Sequence, residues 1–372
     1  LVPADAFPHT TPVGTTYDSG DYAGALDRAL DAADYVGLRS EQLRRREASD
    51  PIALGIGIAC YVEVTAGPGP GREFARVEVA ADGRVTVYTG SSPHGQGHET
   101  AFAMLAADEL GVPMEVITVV HGDTDLVARG EGTMGSRSLQ LGGTAVHQAA
   151  AELVNIARAL AADLLEAHAD DILLDRASGR FHVAGTPAVA TTWADVAAAA
   201  AQRDDAVLSA EGEFSASSPT FPFGAHVAVV EVDTETGRVA LRRLVAVDDA
   251  GRILNPLLAE GQRHGGIAQG VAQALFEQVA YDVDGNPITS NFADYAIVSA
   301  AELPSFDLVT METPTPVNPL GAKGIGESGT IGSTPAVQNA VCNALAHLGV
   351  QHVDMPCTPE RVWHAIQAAA QS

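Results

Sequence analysis

Near its C-terminus the sequence reads Gly321-Ala-Lys-Gly-Ile-Gly-Glu-Ser-Gly-Thr-Ile-Gly-Ser-Thr-Pro335. Glycines on both sides bracket a single carboxylate, Glu327, and prolines precede the stretch. Thr334 and Pro335 suit the cap and the first position of a helix, and the apolar spacing that follows predicts that helix. The stretch therefore predicts a glycine-rich loop that leads into a helix N-terminus, where backbone N–H groups favour an anion.

Three interpretations of this loop are open. Residues 324–329 spell G-x-G-x-x-G, the dinucleotide-binding fingerprint of an NAD-type dehydrogenase. That fingerprint requires a strand directly before the first glycine, whereas a proline-rich segment precedes it here, and Glu327 would repel a pyrophosphate. The loop is otherwise a structural turn, or it holds Glu327 as a catalytic carboxylate beside a bound cofactor.

Composition sets the class of protein. The chain has 372 residues, of which 46% are hydrophobic and 18% charged, which predicts a globular protein with two subdomains. The net charge of -26 argues against nucleic acid and anionic membrane surfaces as partners. Its three cysteines form no zinc or iron–sulfur pattern, and no apolar run is long enough to span a membrane, so we expect a reduced cytoplasmic protein.

The order of predicted elements gives an α+β fold with two mixed α/β subdomains. We expect an extended segment and a helix over 1–50, a first subdomain over 51–210, and a second over 211–372. Asp82-Gly83 predicts a hairpin between two alternating strands. Residues 206–224 have the composition of a linker, the glycine–proline run over 67–71 predicts a turn or a close backbone approach, and no fixed-period repeat is visible.

A second glycine-rich loop carries Gly95, Gln96, Gly97 and His98 in front of a predicted helix. His94 and His98 raise the question of a metal site, but the glycines between them break the helix that an H-E-x-x-H site requires. A glycine loop at a helix N-terminus favours an anion, and the Gln96 amide can both donate and accept hydrogen bonds. The loop therefore predicts contacts to a phosphate or to a heterocycle edge.

A third loop, Gly135-Ser136-Arg137-Ser138, opens a long predicted helix. Backbone N–H groups, two hydroxyls and a guanidinium at a helix start are suited to phosphate. The alternative is an ordinary serine cap.

The segment 260–276 forms a fourth motif, a helix rich in glycine and glutamine that includes Gln262. Such a helix is locally unfavourable, and conflicts of this kind mark close packing or ligand approach. Tight packing explains the glycines but not the glutamines.

These four motifs, in their order along the chain, resemble the molybdenum hydroxylases, the group of xanthine oxidase, aldehyde oxidoreductase and aerobic carbon monoxide dehydrogenase. The segment 321–340 is similar to the catalytic loop of that family, and the match to a carbon monoxide dehydrogenase-like large subunit covers nearly the whole chain. The resemblance implies Glu327 as the catalytic residue. It implies as cofactor-binding residues Gly95, Gln96, Gly97, His98, Gly135, Ser136, Arg137, Ser138, Gln262, Lys323, Gly324 and Gly326.

The family's cofactor is molybdopterin, expected here in the cytosine dinucleotide form, whose dithiolene holds molybdenum without a direct protein ligand. The implied reaction hydroxylates an aldehyde, an N-heterocycle or carbon monoxide with water as the oxygen source, and Glu327 is the general base. Electrons pass to [2Fe-2S] and FAD groups in partner subunits.

The family's large subunit is about twice as long as this chain. We expect the N-terminal half of the large subunit, an iron–sulfur small subunit and an FAD-binding medium subunit as partners, no turnover without them, and an exposed apolar face. The loop that selects the substrate lies in that N-terminal half. A non-catalytic scaffold or assembly protein of the same fold, and an NAD-type dehydrogenase, are the alternative functions.

Overall fold

A computed structural model describes residues 1–66, 72–127, 129–204 and 207–371. The glycine–proline run predicted as a turn over 67–71 lies outside the described residues. The helices are α1 (Tyr22–Ala33), α2 (Tyr35–Glu47), α3 (His98–Leu110), α4 (Thr144–Leu164), α5 (Trp193–Asp204), α6 (Pro256–Leu275), α7 (Ser328–Leu345) and α8 (Pro359–Ala369). Within the described part, none of the helices is long and apolar enough to cross a membrane.

Among the described residues the strands fall into four sheets of two to four strands each. They are β1 (His9–Thr10), β2 (Thr16–Tyr17), β3 (Ile52–Val62), β4 (Arg72–Val79), β5 (Val85–Thr89), β6 (Ile117–Val120), β7 (Ile172–Asp175), β8 (Arg180–Val183), β9 (Thr186–Thr192), β10 (Leu208–Ser215), β11 (Phe223–Asp233), β12 (Val239–Asp249) and β13 (Asp307–Met311). Helices and sheets are mixed along the chain, as the sequence predicts.

The chain divides into two compact units that cut across the three predicted segments. Unit 1 contains residues 1–63, 221–314 and 325–372, and unit 2 contains residues 64–220 and 315–324. The N-terminal segment and β3 thus belong with the C-terminal half of the chain, because β3 pairs with β11 over its whole length.

Unit 1 is built on a four-stranded sheet of order β13-β12-β11-β3. β11 is antiparallel to β3 and β12, and β13 is parallel to β12. Both faces of β11 are buried: alternate side chains pack with α6 and α7 on one face and with α1 on the other. Gly55 and Gly57 let α7 lie directly on β3, since a Cβ at Gly57 would stand 1.9 Å from the Ala336 carbonyl oxygen.

Unit 2 carries a four-stranded sheet of order β10-β4-β5-β6, with a smaller sheet of β7, β8 and β9. β4 is antiparallel to β10 and β5, and β6 is parallel to β5. The predicted hairpin turn is confirmed, because Gly83 joins β4 to β5 with φ +84°. α4 lies on β10, and a Cβ at Gly212 would stand 2.4 Å from the Ala145 carbonyl oxygen.

Three sequence predictions of elements are wrong. α7 begins at Ser328, not after Thr334, and Pro335 lies inside it. The glycines and hydroxyls of this first turn pack on α6, and that packing stabilises a helix that local propensity does not favour. The single helix predicted within residues 1–50 is interrupted at Asp34, which has left-handed φ and ψ. Within the predicted linker at 206–224, of which the structure describes 207–224, residues 208–215 form β10 against β4.

Candidate functional site

Glu327 stands at the N-terminus of α7 in unit 1. Its backbone carbonyl accepts hydrogen bonds from Thr330 and Ile331 of the first turn, and its side chain is exposed, as is Gly326 before it. The structure therefore places a carboxylate at a loop-to-helix junction, as the sequence predicts. The next two residues, Ser328 and Gly329, are buried, so only the junction itself faces outward.

The first turn of α7 packs directly on α6, the helix that carries Gln262. A Cβ at Gly266 would lie 3.1 Å from Gly329 Cα, and the Thr330 hydroxyl donates to the Gly266 carbonyl at 2.9 Å. Backbone meets backbone here, so neither helix can shift without the other. The structure thus joins the Gln262 helix and the Glu327 junction within one unit.

The glycines of α6 fall into two groups. Gly266 and Gly270 serve packing, because a Cβ at Gly270 would lie 2.0 Å from Ser333 Oγ. Gly261 and Gly265 lie on either side of the half-buried Gln262 in sequence, and a Cβ at either glycine would have no neighbour within 4 Å. Tight packing therefore explains only half of these glycines, and the outward pair leaves the helix backbone accessible beside Gln262.

A buried polar network that the sequence analysis missed lies behind this helix pair. Asp248 accepts a hydrogen bond from Tyr61 Oη at 2.7 Å, lies 2.7 Å from His226 Nε2, and pairs with Arg263 Nε at 2.7 Å. Burial by itself would raise the pKa of Asp248, but His226 and then Arg263 outweigh it and hold that pKa well below its usual range. The only sequence signal was an arginine within an otherwise apolar helix face.

In unit 2, Gly95 and Gly97 adopt φ of +109° and +79° just before α3, and the Gln96 side-chain oxygen accepts from the His94 amide. His98, the first residue of α3, is buried, and burial lowers its pKa to about 4. A neutral imidazole follows at physiological pH.

Thr133 joins this loop to the next one. Its hydroxyl lies 2.9 Å from His98 Nε2 and accepts a hydrogen bond from the Ser138 hydroxyl at 2.9 Å. The two predicted cofactor loops of unit 2, 95–98 and 135–138, are therefore neighbours in the fold. Thr133 is a residue that the motif analysis did not single out.

The third stretch to meet there is the end of 315–324. Ser136 has a left-handed φ of +52°, uncommon for a residue with a Cβ, and Gly324 packs on it so closely that a Cβ would lie 2.5 Å from Ser136 Cβ. Lys323 beside it is buried. Strain held in place by surrounding packing is a feature of ligand-binding loops.

Arg137 is turned inward. Its terminal nitrogens donate to Glu131 and to the Arg72 carbonyl, and one lies 3.9 Å from buried Glu73. Protein groups thus engage a guanidinium that the sequence analysis assigned to an anion. Its role as a cofactor ligand stays a prediction.

The structure therefore assembles two groups of predicted residues, one in each unit. Gln262, Gly326 and Glu327 belong to unit 1, whereas the loops at 95–98 and 135–138 and Lys323-Gly324 belong to unit 2. Convergence of Gln96 and Glu327 on one pocket stays a prediction. In the part of the chain that the structure describes, no group of three or more His, Cys, Asp or Glu could hold a metal ion.

Comparison with known proteins gives a family match over residues 28–304, to the molybdopterin cofactor-binding domain. The carbon monoxide dehydrogenase large chain of Hydrogenophaga pseudoflava is 39% identical over 98% of this chain and 47% of its own length.

Two solved structures match equally broadly. Carbon monoxide dehydrogenase from Oligotropha carboxidovorans aligns with a TM-score of 0.91 at 33% identity, over 100% of this chain and 48% of that one. Quinoline 2-oxidoreductase from Pseudomonas putida 86 aligns with a TM-score of 0.89 at 34% identity, over 99% of this chain and 48% of that one.

The chain thus spans about half the length of the relatives that it matches. The family match covers most of the sequence, and the fold matches that of the two solved structures over nearly every residue. The chain belongs to the molybdopterin cofactor-binding domain family of the molybdenum hydroxylases.

Proposed function

We propose that this chain holds a molybdenum–molybdopterin cofactor, in its cytosine dinucleotide form, for an oxidoreductase that hydroxylates its substrate with an oxygen from water. Glu327 is the general base of that reaction. The observation that carries the proposal is the junction before α7: an exposed carboxylate is fixed, through backbone contacts, to the helix whose open glycines flank Gln262.

The residues present fit such a group. Around Gln262, Gly261 and Gly265 leave room against the helix backbone. In unit 2, positive-φ glycines precede α3, and the strained Ser136 backbone is held between Gly324 and Gln140, whose amide donates to the Ser136 carbonyl at 3.0 Å. Amide, hydroxyl and helix N-terminal donors of this kind suit a pterin edge and phosphates better than a bare metal ion.

When bound, the cofactor supplies the redox chemistry of the reaction. The chain's own residues position it and move a proton. Gln262 and Gln96 offer side-chain amides to the pterin, and Ser136 and Ser138 with the α3 N-terminus hold the phosphates. A Glu327 carboxylate oxygen accepts the proton of the oxygen that attacks the substrate, which requires hydrogen-bond reach to that oxygen.

The partners that we propose are the N-terminal half of a large subunit, an iron–sulfur subunit and an FAD subunit. Large apolar side chains support such assembly: between residues 279 and 297 the structure exposes Val279, Tyr281, Val283, Ile288, Phe292 and Ile297. Exposed apolar groups clustered in one segment indicate an interaction surface. The substrate class that we propose is an aldehyde, an N-heterocycle or carbon monoxide.

The test is to purify the protein with its partner subunits, measure molybdenum and pterin, and run turnover in ¹⁸O-labelled water. We expect about one molybdenum and one pterin per chain, and a product that carries the label. Absence of both groups, with partners still bound, would favour the scaffold alternative. Tight NAD binding without molybdenum would favour the dinucleotide alternative, and label from O₂ would refute water as the oxygen source.

A further inference from the structure

Arg263 is among the largest side chains that are fully buried, with 1% of its surface exposed. It follows Gln262 directly on α6, but points to the opposite side, into the sheet of unit 1. Its guanidinium donates to Asp248 Oδ2 at 2.7 Å, Thr310 Oγ1 at 3.1 Å, and the carbonyls of Ala246 and Val309 at 2.8 and 2.9 Å. One side chain therefore ties α6 to both β12 and β13.

Its partner Asp248 extends the connection to the rest of the sheet. The same carboxylate accepts from Tyr61 of β3 and lies in hydrogen-bond distance of His226 on β11. All four strands and α6 thus meet at one buried ion pair. Fixed hydrogen-bond directions at both groups give this junction a single geometry.

The junction also reaches the turn after Glu327. A Cβ at Gly329 would lie 2.7 Å from the Arg263 carbonyl oxygen, and a Cβ at Gly332 would lie 2.4 Å from His226 Nδ1. A cavity of about 190 Å³ is lined by Arg263, Asp248 and Ile325, two residues before Glu327. Arg263 and His226 therefore lie against the first turns of α7, and Arg263 and Asp248 line a cavity together with Ile325 of the preceding loop.

We propose that the Asp248–Arg263 pair is a positioning device that fixes Gln262 and Glu327 relative to each other. This inference rests on the proposed function of those two residues. Replacing a buried ion pair by neutral groups is often neutral or stabilising, because desolvation offsets the attraction between the charges. The pair thus contributes position rather than stability.

Three variants separate position from stability in the protein purified with its partner subunits. Arg263→Met leaves the buried Asp248 carboxylate without its guanidinium partner and should lower the melting temperature. Asp248→Asn combined with Arg263→Met removes both charges, keeps an acceptor for Tyr61, and should recover most of that loss. Arg243→Met is the matched control, since Arg243 joins β12 to β13 through a half-exposed ion pair with Asp307.

In the double variant we expect kcat to stay lower by about 10- to 100-fold with KM little changed, because small misplacements of reacting groups are costly. Amide hydrogen exchange over 262–270 and 328–334 should be faster than in the wild type, although the melting temperature is restored. Arg243→Met should change neither kcat nor this exchange.

Hydrogen exchange needs no cofactor, so the two proposals can fail separately. Faster exchange in a double variant that is as stable as the wild type would keep the positioning role even if the wild-type protein contained no molybdenum, a result that would refute the proposed function. Wild-type exchange and kcat in the double variant would overturn the positioning role, and leave the molybdenum function standing. If Arg263→Met does not fold, the double variant and the Arg243→Met control still decide whether the Asp248–Arg263 pair has a positioning role.

Discussion

The two units repeat one plan with different residues. Unit 2 has the strand order β10-β4-β5-β6. Along the chain, the antiparallel strands β4 and β5 are followed by α3, by β6, which is parallel to β5, by a glycine-rich loop, and by α4, which lies on the edge strand β10. In unit 1 the order β3-β11-β12-β13, with α6 between β12 and β13 and α7 after it, follows the same plan. The predicted site residues occupy equivalent positions: before α3 and on α6, the helices that connect the antiparallel pair to the parallel strand, and before α4 and α7.

What differs is the polar content of the repeated plan. Unit 1 presents an exposed carboxylate, Glu327, at the start of α7, and the Thr330 hydroxyl of that helix packs against α6. Unit 2 presents no equivalent carboxylate at 135–138, and instead clusters His98, Thr133 and Ser138. The comparison teaches that one scaffold can be specialised twice, as we propose: unit 1 supplies the proton-transfer residue Glu327 together with one pterin contact, Gln262, and unit 2 supplies the other contacts that hold the cofactor.

The largest effect should come from Glu327→Gln. This change keeps the size of the side chain but removes the base, so turnover should fall by about 10²- to 10⁴-fold, or about 3–5 kcal/mol of barrier. Steady-state kinetics of the protein with its partner subunits measures it. Glu131→Gln, a carboxylate on the corresponding loop of unit 2, is the control and should lose far less. Near-normal turnover of Glu327→Gln would break the assignment.

The next largest effect should come from overpacking the glycines that lie under α7 and α4. Gly57→Val in unit 1 and Gly212→Val in unit 2 each force a side chain into a helix backbone, and each should lower the free energy of unfolding by about 1–3 kcal/mol or more. Denaturant unfolding measures both. If only one of them destabilises, the two helix–strand contacts are not equivalent.

A smaller effect separates the buried carboxylates of the two units by pH. Burial raises the pKa of Glu73, so its charge destabilises the folded state above that pKa, and unit 2 gains stability as the pH falls through this raised pKa toward the unfolded value of about 4.3. His226 and Arg263 lower the pKa of Asp248, so its contribution is present above the unfolded pKa of about 4 and is lost only below that.

Melting temperature against pH tests this difference with two matched variants. Glu73→Gln should remove a rise in stability that occurs as the pH falls from neutral toward about 4.3, whereas Asp248→Asn should leave that rise unchanged. A pH profile unaltered by Glu73→Gln would show that another group causes it.

The smallest effect concerns the outward glycines of α6. Gly261→Ala meets nothing within 4 Å and should raise the free energy of unfolding by about 0.5–1 kcal/mol. The control Gly185→Ala, in equally open space in unit 2, should destabilise because its φ is +78°. If Gly261 is kept for the cofactor, the stabilised variant should also contain less pterin.

Much of this fold could be predicted locally. The hairpin at Asp82-Gly83 and the family itself followed from turn residues and motif order. The start of α7 could not, because contacts with α6, which are distant in sequence, stabilise its glycine-rich first turn. The duplicated plan was also invisible, since the two units meet the same packing demands with different residues and no common period.

The same limit applies to the site. Glu327 and Gln262 stand out because glycines surround them, which is a local signal. Asp248 and Arg263 are 15 residues apart and join only when the sheet forms, and Thr133 acts through neighbours on two loops. Residues that position others have ordinary sequence surroundings, so only the structure reveals them.

The division of labour between the units is tested most directly by molybdenum content per chain in two variants of the protein with its partner subunits. Glu327→Gln should keep wild-type molybdenum while turnover is lost. Gln96→Ala in unit 2 should lose molybdenum and pterin, with turnover falling only in proportion to the metal that remains. The account is contradicted if Glu327→Gln loses the metal while Gln96→Ala keeps it, or if both variants lose it alike.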